Sequence, residues 1–145
     1  MNPPLAGVRV LAVEQYGAGP AGSIYLADMG AEVIKVENLR EGGDIGRAVG
    51  PHFFGPGDSQ FYQTFNRNKR SIGMDLTKPE ARAVFRDLAR GAEGVFGNLR
   101  GDLPAKLGLT YEQLKDVNPR LVCAHLSAYG REGSRAARPG YDYFM

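Results

Sequence analysis

The sequence predicts a doubly wound α/β domain with a mostly parallel sheet and helices on both faces, and three observations support this fold class. Short apolar runs rich in β-branched residues alternate with segments of helical periodicity. The first of these units, from Val8 to Val36, follows the order strand, tight turn, helix, strand. The 145 residues are 43% hydrophobic and 23% charged, which is ordinary for one globular domain. We therefore expect residues 1–145 to form one α/β domain.

Five strands are predicted from these apolar runs, at residues 8–13, 32–36, 71–75, 94–97 and 121–127. Pro20 fits the first turn of a helix that continues to Met29. A second helix is predicted to begin at Thr77, where Glu80 would complete a capping box, and to end at Gly91. Two shorter helices are expected at 103–107 and 111–116, the latter with a capping box formed by Thr110 and Gln113. The glycine-rich region 38–58 lacks a period and is predicted to be a long loop.

Composition excludes several classes of protein. The net charge of +2 is too balanced for nucleic-acid binding by the whole domain. The single cysteine, Cys123, rules out an internal disulfide framework and stands in an apolar run, as a buried structural thiol does. His52 and His125 are too far apart for a metal-ligand pattern, so we expect no metal site. Without a signal-peptide layout or an 18-residue apolar run, we expect a cytoplasmic protein without membrane contact.

The turn at Gly17-Ala18-Gly19-Pro20 resembles a phosphate-binding glycine turn, but it lacks the third glycine of the dinucleotide fingerprint. A purely structural tight turn explains it equally well. Glu37 follows the second strand at a distance suited to a ribose hydroxyl, although a carboxylate at a strand end is common without that role. The chain shows no self-contained catalytic constellation.

Residues 66–71, which we call the basic segment, hold three cations and two amides without a carboxylate. The cations are Arg67, Lys69 and Arg70, and an aromatic run precedes them. Like charges this close repel each other unless an anion lies nearby. On charge alone, a phosphate-binding surface and a solvated loop both remain open, and an RNA-binding surface is a more distant alternative.

In doubly wound sheets, ligands bind at the carboxyl ends of the strands. This rule selects loops at residues 14–18, 37–40, 75–77, 98–100 and 127–130 as the candidate site.

Read in order, the motifs of the chain resemble the N-terminal part of the family III CoA-transferases, which include formyl-CoA transferase, carnitine CoA-transferase and α-methylacyl-CoA racemase. The resemblance covers nearly the whole chain. The motifs that carry it are LAGVRVL at 5–11, AGP at 18–20, LADMGAEVIKVE at 26–37, GD at 43–44, NRNKRS at 66–71, NLR at 98–100, LGL at 107–109, NPRL at 118–121 and RPGYD at 138–142.

The resemblance implies a Rossmann-like domain that binds coenzyme A, as the incomplete N-terminal portion of a larger fold, and an intertwined homodimer for the full-length protein. It implies acyl-CoA and a carboxylic acid as substrates, with no nucleic acid, no membrane and no metal. A catalytic aspartate of the family attacks the acyl-CoA thioester and forms a mixed anhydride, from which CoA passes to a second acid. Backbone N–H groups between Tyr16 and Ala18 would stabilise the oxyanion, and Tyr129 would line the acyl channel.

The CoA-contacting positions of the family carry over to the strand-end loops of this chain and to Lys106. They are Gly17, Ala18, Asn38, Met74, Asp75, Leu76, Thr77, Asn98, Leu99, Arg100, Lys106, Ser127, Ala128, Tyr129 and Gly130. The catalytic aspartate belongs to a segment beyond the RPGYD motif, so Asp142 is not the nucleophile and no catalytic residue is expected in this chain. We therefore expect the chain alone to be inactive.

The sequence also departs from the family pattern. Leu99, Gly101 and Asp102 replace the usual Phe, Pro and Gly, and Asn38 stands where some members carry arginine. Tyr141 occupies the position of the catalytic histidine of the racemases, which argues against racemase chemistry. The leading hypothesis is a CoA-transferase; a racemase-like enzyme and a non-catalytic CoA- or nucleotide-binding module are the alternatives.

Overall fold

The computed structural model describes residues 2–141, and its centre is a parallel sheet of five strands. The strands of the chain are β1 (Arg9–Val13), β2 (Glu32–Glu37), β3 (Phe53–Gly55), β4 (Asp58–Ser59), β5 (Arg70–Gly73), β6 (Gly94–Gly97) and β7 (Val122–His125). The helices are α1 (Ala18–Asp28), α2 (Gln60–Asn66), α3 (Pro79–Arg90), α4 (Leu103–Leu107) and α5 (Tyr111–Leu114). Asp142, at the end of the RPGYD motif, lies outside the described residues.

The sheet has the strand order β5-β2-β1-β6-β7 and every pairing in it is parallel. The first two crossovers run outward on one side of β1, and the later strands are added on its other side. This is the strand order of the Rossmann fold, and its switch point lies between β1 and β6. The predicted fold class and the five predicted strands are confirmed.

Side chains that alternate along β1 build a core on each face of the sheet. Leu11 packs in one cluster with Phe85 of α3. Val10 and Ala12 pack in the other with Ala27 of α1. Successive side chains of a strand point to opposite faces, so a strand buried on both faces reads as the continuous apolar run that predicted it.

The start of α3 differs from the prediction. Its N-cap is Lys78, with no side-chain cap, and Pro79 begins the helix. The backbone N–H and the hydroxyl of Thr77 both donate to Asp75 Oδ1, so a local Asx turn replaces the predicted capping box. The capping box at Thr110 and Gln113 is confirmed. The last helix is shorter than predicted, ending at Leu114 rather than residue 116.

The region 38–58, predicted to be one long loop, contains short regular elements instead. The region contains two 3₁₀ helices, Leu39–Glu41 and Ile45–Ala48, and the two-stranded hairpin of β3 and β4. The side chains of Asn38 and Asp44 cap the two 3₁₀ helices by accepting backbone N–H groups two residues ahead. Helices of one turn leave no periodicity in a sequence, which is why the pattern did not reveal them.

Within residues 2–141, no helix is long and apolar enough to cross a bilayer.

Candidate functional site

A cavity of about 210 Å³ lies at the carboxyl ends of β1, β2 and β5 and extends to α4. This edge is where open α/β sheets bind ligands. The walls combine apolar side chains with several carboxylates and amides. The lining residues are Val13, Glu14, Gln15, Val36, Glu37, Asn38, Glu41, Gly43, Asp44, Met74, Asp75, Leu76, Thr77, Leu99, Leu103 and Leu107.

Part of the set predicted from the sequence lines this cavity, namely Asn38, Met74, Asp75, Leu76, Thr77 and Leu99. The rest of the predicted set does not line it: Gly17, Ala18, Asn98, Arg100, Lys106, Ser127, Ala128, Tyr129 and Gly130. Sequence reasoning missed Asp44, Leu103 and Leu107 as lining residues. The spacing of the two leucines by four residues was a usable signal, since it places both on one side of α4.

The turn between β1 and α1 is fixed by side chains from other parts of the chain. The amide of Asn98 forms two hydrogen bonds of 2.9 Å with the backbone of Gln15, donating to its carbonyl and accepting its N–H. Tyr16 has a left-handed backbone, φ 66°, which costs a non-glycine residue on the order of 1 kcal/mol. Its N–H donates to Asp44 Oδ1 at 2.8 Å. These contacts hold the backbone that was proposed from the sequence to face an oxyanion.

The loops after β6 and β7 touch each other. A side chain at Gly101 would overlap the backbone of Gly130, so only glycine allows this approach. Asp102, which departs from the family pattern, pairs with both Arg100 (2.8 Å) and Lys106 (2.7 Å). A hydrogen bond from Lys106 lowers the pKa of Asp102, so its carboxylate faces both cations in its charged form.

The three cations of the basic segment form ion pairs with carboxylates of the same chain. Arg67 pairs with Asp28, Arg70 with Glu32 at 2.7 Å and Lys69 with Glu14 at 2.9 Å. The Lys69 side chain is only 1% exposed, so a phosphate group cannot reach it without a rearrangement. The repulsion inferred from the sequence is therefore relieved by three carboxylates distant in sequence.

Glu37 serves as a buried structural acceptor. Its carboxylate receives two hydrogen bonds from Arg47 at 2.7 and 2.8 Å, one from Tyr62 at 3.0 Å and another from Ser71. Burial by itself would raise the pKa of Glu37, but the hydrogen bonds from Arg47 and Ser71 outweigh it and lower this pKa to about 2. With both oxygens engaged by the protein, Glu37 has no place for a ribose hydroxyl.

A second group of buried charges lies next to Glu37. Lys35 Nζ lies 2.7 Å from Asp44 Oδ2 and 3.7 Å from Glu14 Oε1, and the three side chains are at most 1% exposed. The backbone N–H of Asp44 donates to Glu37 Oε2 at 2.9 Å and joins the two groups. We call the six charged residues the buried charge network; they are Glu14, Lys35, Glu37, Asp44, Arg47 and Lys69. It holds three charges of each sign, so its net charge is zero.

Glu14 carries a buried oxygen, Oε2, without a hydrogen-bond partner, while its Oε1 accepts from Ser23 and Lys69. An unpaired buried acceptor costs free energy unless a water molecule or a ligand donor reaches it. Lys69, its ion-pair partner, has a pKa lowered by burial, against the opposing pull of the Glu14 charge.

Cys123 and His125 are both half-buried in β7. Burial raises the pKa of the Cys123 thiol. The ring of His125 lies 3.2 Å, through Nε2, from the carbonyl of Leu109, and burial lowers its pKa. Within residues 2–141, no three His, Cys, Asp or Glu side chains group closely enough to hold a metal ion.

The sequence and the fold were compared with those of known proteins. Residues 5–145 match the family model described as CoA-transferase family III, so the chain belongs to this family. The resemblance noted in the sequence motifs is confirmed.

Curated relatives carry CoA-transferase names. The chain is 45% identical to a succinate–glutarate CoA-transferase of Agrobacterium fabrum, over 99% of this chain and 37% of the relative. It is 35% identical to the human succinyl-CoA:glutarate CoA-transferase, over 96% of this chain and 31% of that protein. An acetyl-CoA:oxalate CoA-transferase of Acetobacter aceti is 37% identical over 96% and 35% of the two chains.

Solved structures share the fold. A CAIB/BAIF family protein from Brucella suis superimposes with a TM-score of 0.87 at 37% identity, covering 99% of this chain and 38% of that one. Rv3272 from Mycobacterium tuberculosis gives a TM-score of 0.84 at 39% identity, covering 96% and 38%. The chain thus spans less than two fifths of the length of these relatives.

Proposed function

We propose that this chain provides the coenzyme A site of a CoA-transferase that moves CoA between an acyl-CoA thioester and a carboxylic acid. The observation that carries the proposal is the cavity at the carboxyl ends of β1, β2 and β5, in a chain that belongs to CoA-transferase family III. The relatives named for succinate, glutarate and oxalate make short carboxylic acids the first substrates to test.

The cavity suits one portion of CoA. Its volume of about 210 Å³ lies below the ~300–1,000 Å³ of sites that enclose a drug-sized ligand. A ring-sized group would pack against apolar side chains such as Met74, Leu76 and Leu103. The rest of the molecule would extend along the open loops that include Gly17, Asn98 and residues 127–130.

Three exposed cations near this edge of the sheet are candidates to bind the phosphate groups of CoA. Arg40 lies 3.7 Å from Asp75, which lines the cavity, and its side chain is 67% exposed. Arg100 and Lys106 share Asp102. Exposed ion pairs of this kind contribute little to stability, so these cations can exchange a carboxylate for a phosphate at small cost.

The transfer chemistry requires a carboxylate that is free to attack a thioester. Four of the five carboxylates on the cavity wall are engaged: Glu14, Glu37 and Asp44 in the buried charge network, and Asp75 with both donors of Thr77. The fifth, Glu41, is exposed at the end of the first 3₁₀ helix. We infer that the attacking aspartate belongs to a segment of the family fold outside this chain, and that the whole enzyme is a homodimer in the cytoplasm.

Calorimetric titration tests the binding half of this proposal. The chain should bind CoA and should bind NAD and RNA more weakly, since Glu37 leaves no acceptor for a dinucleotide ribose and the basic segment is neutralised. Equal or tighter binding of NAD or RNA would contradict the CoA site. Binding of CoA without any transfer activity in a longer family chain would favour the binding-module alternative.

The catalytic half is tested by an assay with succinyl-CoA and glutarate. We expect no transfer by the 145-residue chain, even at high concentration. A chain extended with the segment that follows the matching region in the Agrobacterium relative should gain transfer, and should lose it when the aspartate of that segment becomes alanine. Turnover by the short chain that is abolished by Asp142→Ala would show that the nucleophile has been misplaced.

A further inference from the structure

We propose that Asp44 is a positioning residue that sets the shape of the β1–α1 turn from within the buried charge network. The GD motif at 43–44 and the basic segment carried the family resemblance, yet neither supplies a contact that the transfer chemistry explains. The inference rests on the proposed function only in that CoA is the ligand whose affinity the turn would govern.

Asp44 connects two walls of the cavity. Its Oδ1 accepts the backbone N–H groups of Tyr16 and Gly46, both at 2.8 Å. Its own N–H donates to Glu37 Oε2 at the end of β2. One buried carboxylate therefore fixes the distance between the turn after β1 and the 3₁₀ helix Ile45–Ala48.

Lys35 and Lys69 complete the support. Lys35 lies in the middle of β2, and its Nζ forms an ion pair with Asp44 Oδ2 at 2.7 Å without hydrogen-bond geometry. Lys69, from the basic segment, reaches the carbonyl of Pro20 in the first turn of α1 at 3.0 Å as well as Glu14. The turn is thus held on both sides, at Tyr16 through Asp44 and at Pro20 through Lys69.

This arrangement explains why Tyr16 can keep a left-handed backbone without being glycine. The conformation directs the Tyr16 N–H at the Asp44 carboxylate, and the Tyr16 ring packs on Phe61 with the ring centres 5.0 Å apart. Strained backbone persists where the surrounding contacts over-determine it. Without the Oδ1 acceptor, the turn would relax and the adjacent N–H groups of Gly17 and Ala18 would lose their orientation.

A matched pair of double variants tests the proposal. Lys35→Met with Asp44→Asn removes both charges of the buried pair but keeps an Oδ1 acceptor. Lys35→Met with Asp44→Ala removes the same charges and also the acceptor. Removing both charges together avoids leaving one of them buried and unpaired, which is the more damaging change.

Amide hydrogen exchange of the Tyr16 N–H is the readout that needs no ligand. We expect exchange in the Ala form to be faster than in the Asn form by about tenfold or more, because a hydrogen bond to the turn is lost. CoA affinity, measured by calorimetry, should remain close to that of the wild-type chain in the Asn form. In the Ala form it should be about tenfold weaker than in the Asn form. Equal exchange and equal affinity in the two forms would overturn the proposal.

Tyr62→Phe serves as the control for stability. It removes a hydroxyl that donates to Glu37 Oε1, the oxygen that does not accept the Asp44 N–H, and Tyr62 does not line the cavity. Tyr62→Phe should lower stability without changing Tyr16 exchange or CoA affinity. A loss of affinity equal to that of the Ala form would assign the effect to stability and refute the positioning role of Asp44.

The proposal remains testable if the Ala form does not fold. Fast Tyr16 exchange in a folded Asn form would then refute the proposal, and retained protection would support it. If the wild-type chain fails to bind CoA, the proposed function fails, while Tyr16 exchange still decides the role of Asp44.

Discussion

Gly17 and Gly19 stand two residues apart at the start of α1 and have opposite surroundings. A Cβ at Gly19 would lie 2.6 Å from Asn98 Cγ and 2.9 Å from Glu14 Cβ, and Asn98 is held in place by its two hydrogen bonds to Gln15. A Cβ at Gly17 would meet no atom within 4 Å, and Gly17 has an ordinary negative φ of −111°. Only Gly19 is therefore required by the packing of the protein itself.

This difference gives a prediction for two alanine variants. Gly19→Ala should reduce the free energy of unfolding by about 1–3 kcal/mol through overpacking. Gly17→Ala should change it by less than about 0.5 kcal/mol. If the backbone of Gly17 approaches CoA, as proposed, Gly17→Ala should nevertheless weaken CoA binding. Urea unfolding and calorimetry measure the two quantities, and a Gly17 variant with wild-type affinity would remove Gly17 from the proposed site.

Glu37 provides a prediction for the dependence of stability on pH. Its pKa is lowered from 4.5 to about 2, so its contribution is complete above pH 4.5 and is lost as the pH falls towards 2. We expect the stability difference between the wild-type protein and Glu37→Gln to shrink by on the order of 2 kcal/mol between pH 6 and pH 3. Urea unfolding across this range measures the difference. Asp87→Asn, at an exposed carboxylate of α3, is the control, and a pH-independent difference for Glu37→Gln would contradict the assignment.

At the scale of the elements, the sequence predicted the strands and helices that have an apolar run or a helical period. β1 and β6 are buried strands flanked by glycine or turn residues, and α3 carries an apolar stripe bounded by Pro79 and Gly91. Their types were predicted correctly, with ends in error by one or two residues. The strand-end loops followed from the sheet, and they led to the part of the cavity wall formed by residues 75–77.

The buried charge network could not be predicted in this way. Lys69 pairs with Glu14, 55 positions earlier, and a sequence pattern holds no information on such a pairing. Lys35 stands in an apolar strand and reads as a solvent-facing position, whereas its side chain is 1% exposed. The pairing of distant charges depends on the crossover connections, and these become known only with the fold.

At the scale of the whole molecule, the edge strand β7 presents apolar side chains to solvent. Val122 of β7 is 66% exposed, and Leu126, which directly follows the strand, is 49% exposed. The central strands are covered on both faces, so within the five-stranded sheet the exposed apolar side chains lie at this edge, and others, such as Phe54 at 72% exposed, lie outside that sheet. An apolar edge strand with free backbone groups favours pairing with another chain.

We therefore expect the chain to self-associate through this edge. Val122→Lys should shift the protein towards monomer in sedimentation velocity over a range of concentrations, because a charge at an edge strand opposes pairing. Val84→Lys is the matched control, since Val84 is an exposed valine on α3 and not on the edge strand. A monodisperse wild-type monomer with a cooperative thermal transition would contradict this prediction and favour an independent binding module.

Asn98 has a consequence for the depth of the crevice at the switch point. Backbone pairing of β1 with β6 ends at Val13 and Gly97. Beyond that pair, the Asn98 side chain offers Gln15 one donor and one acceptor, the same two groups that a peptide unit offers across a sheet. The Asn98 side chain thus extends the hydrogen-bonded contact between β1 and β6 by one residue beyond the last backbone pair. The Asn98 amide therefore forms part of the floor of the crevice between β1 and β6. Substitution of this one residue would deepen the crevice without any change in the strands themselves.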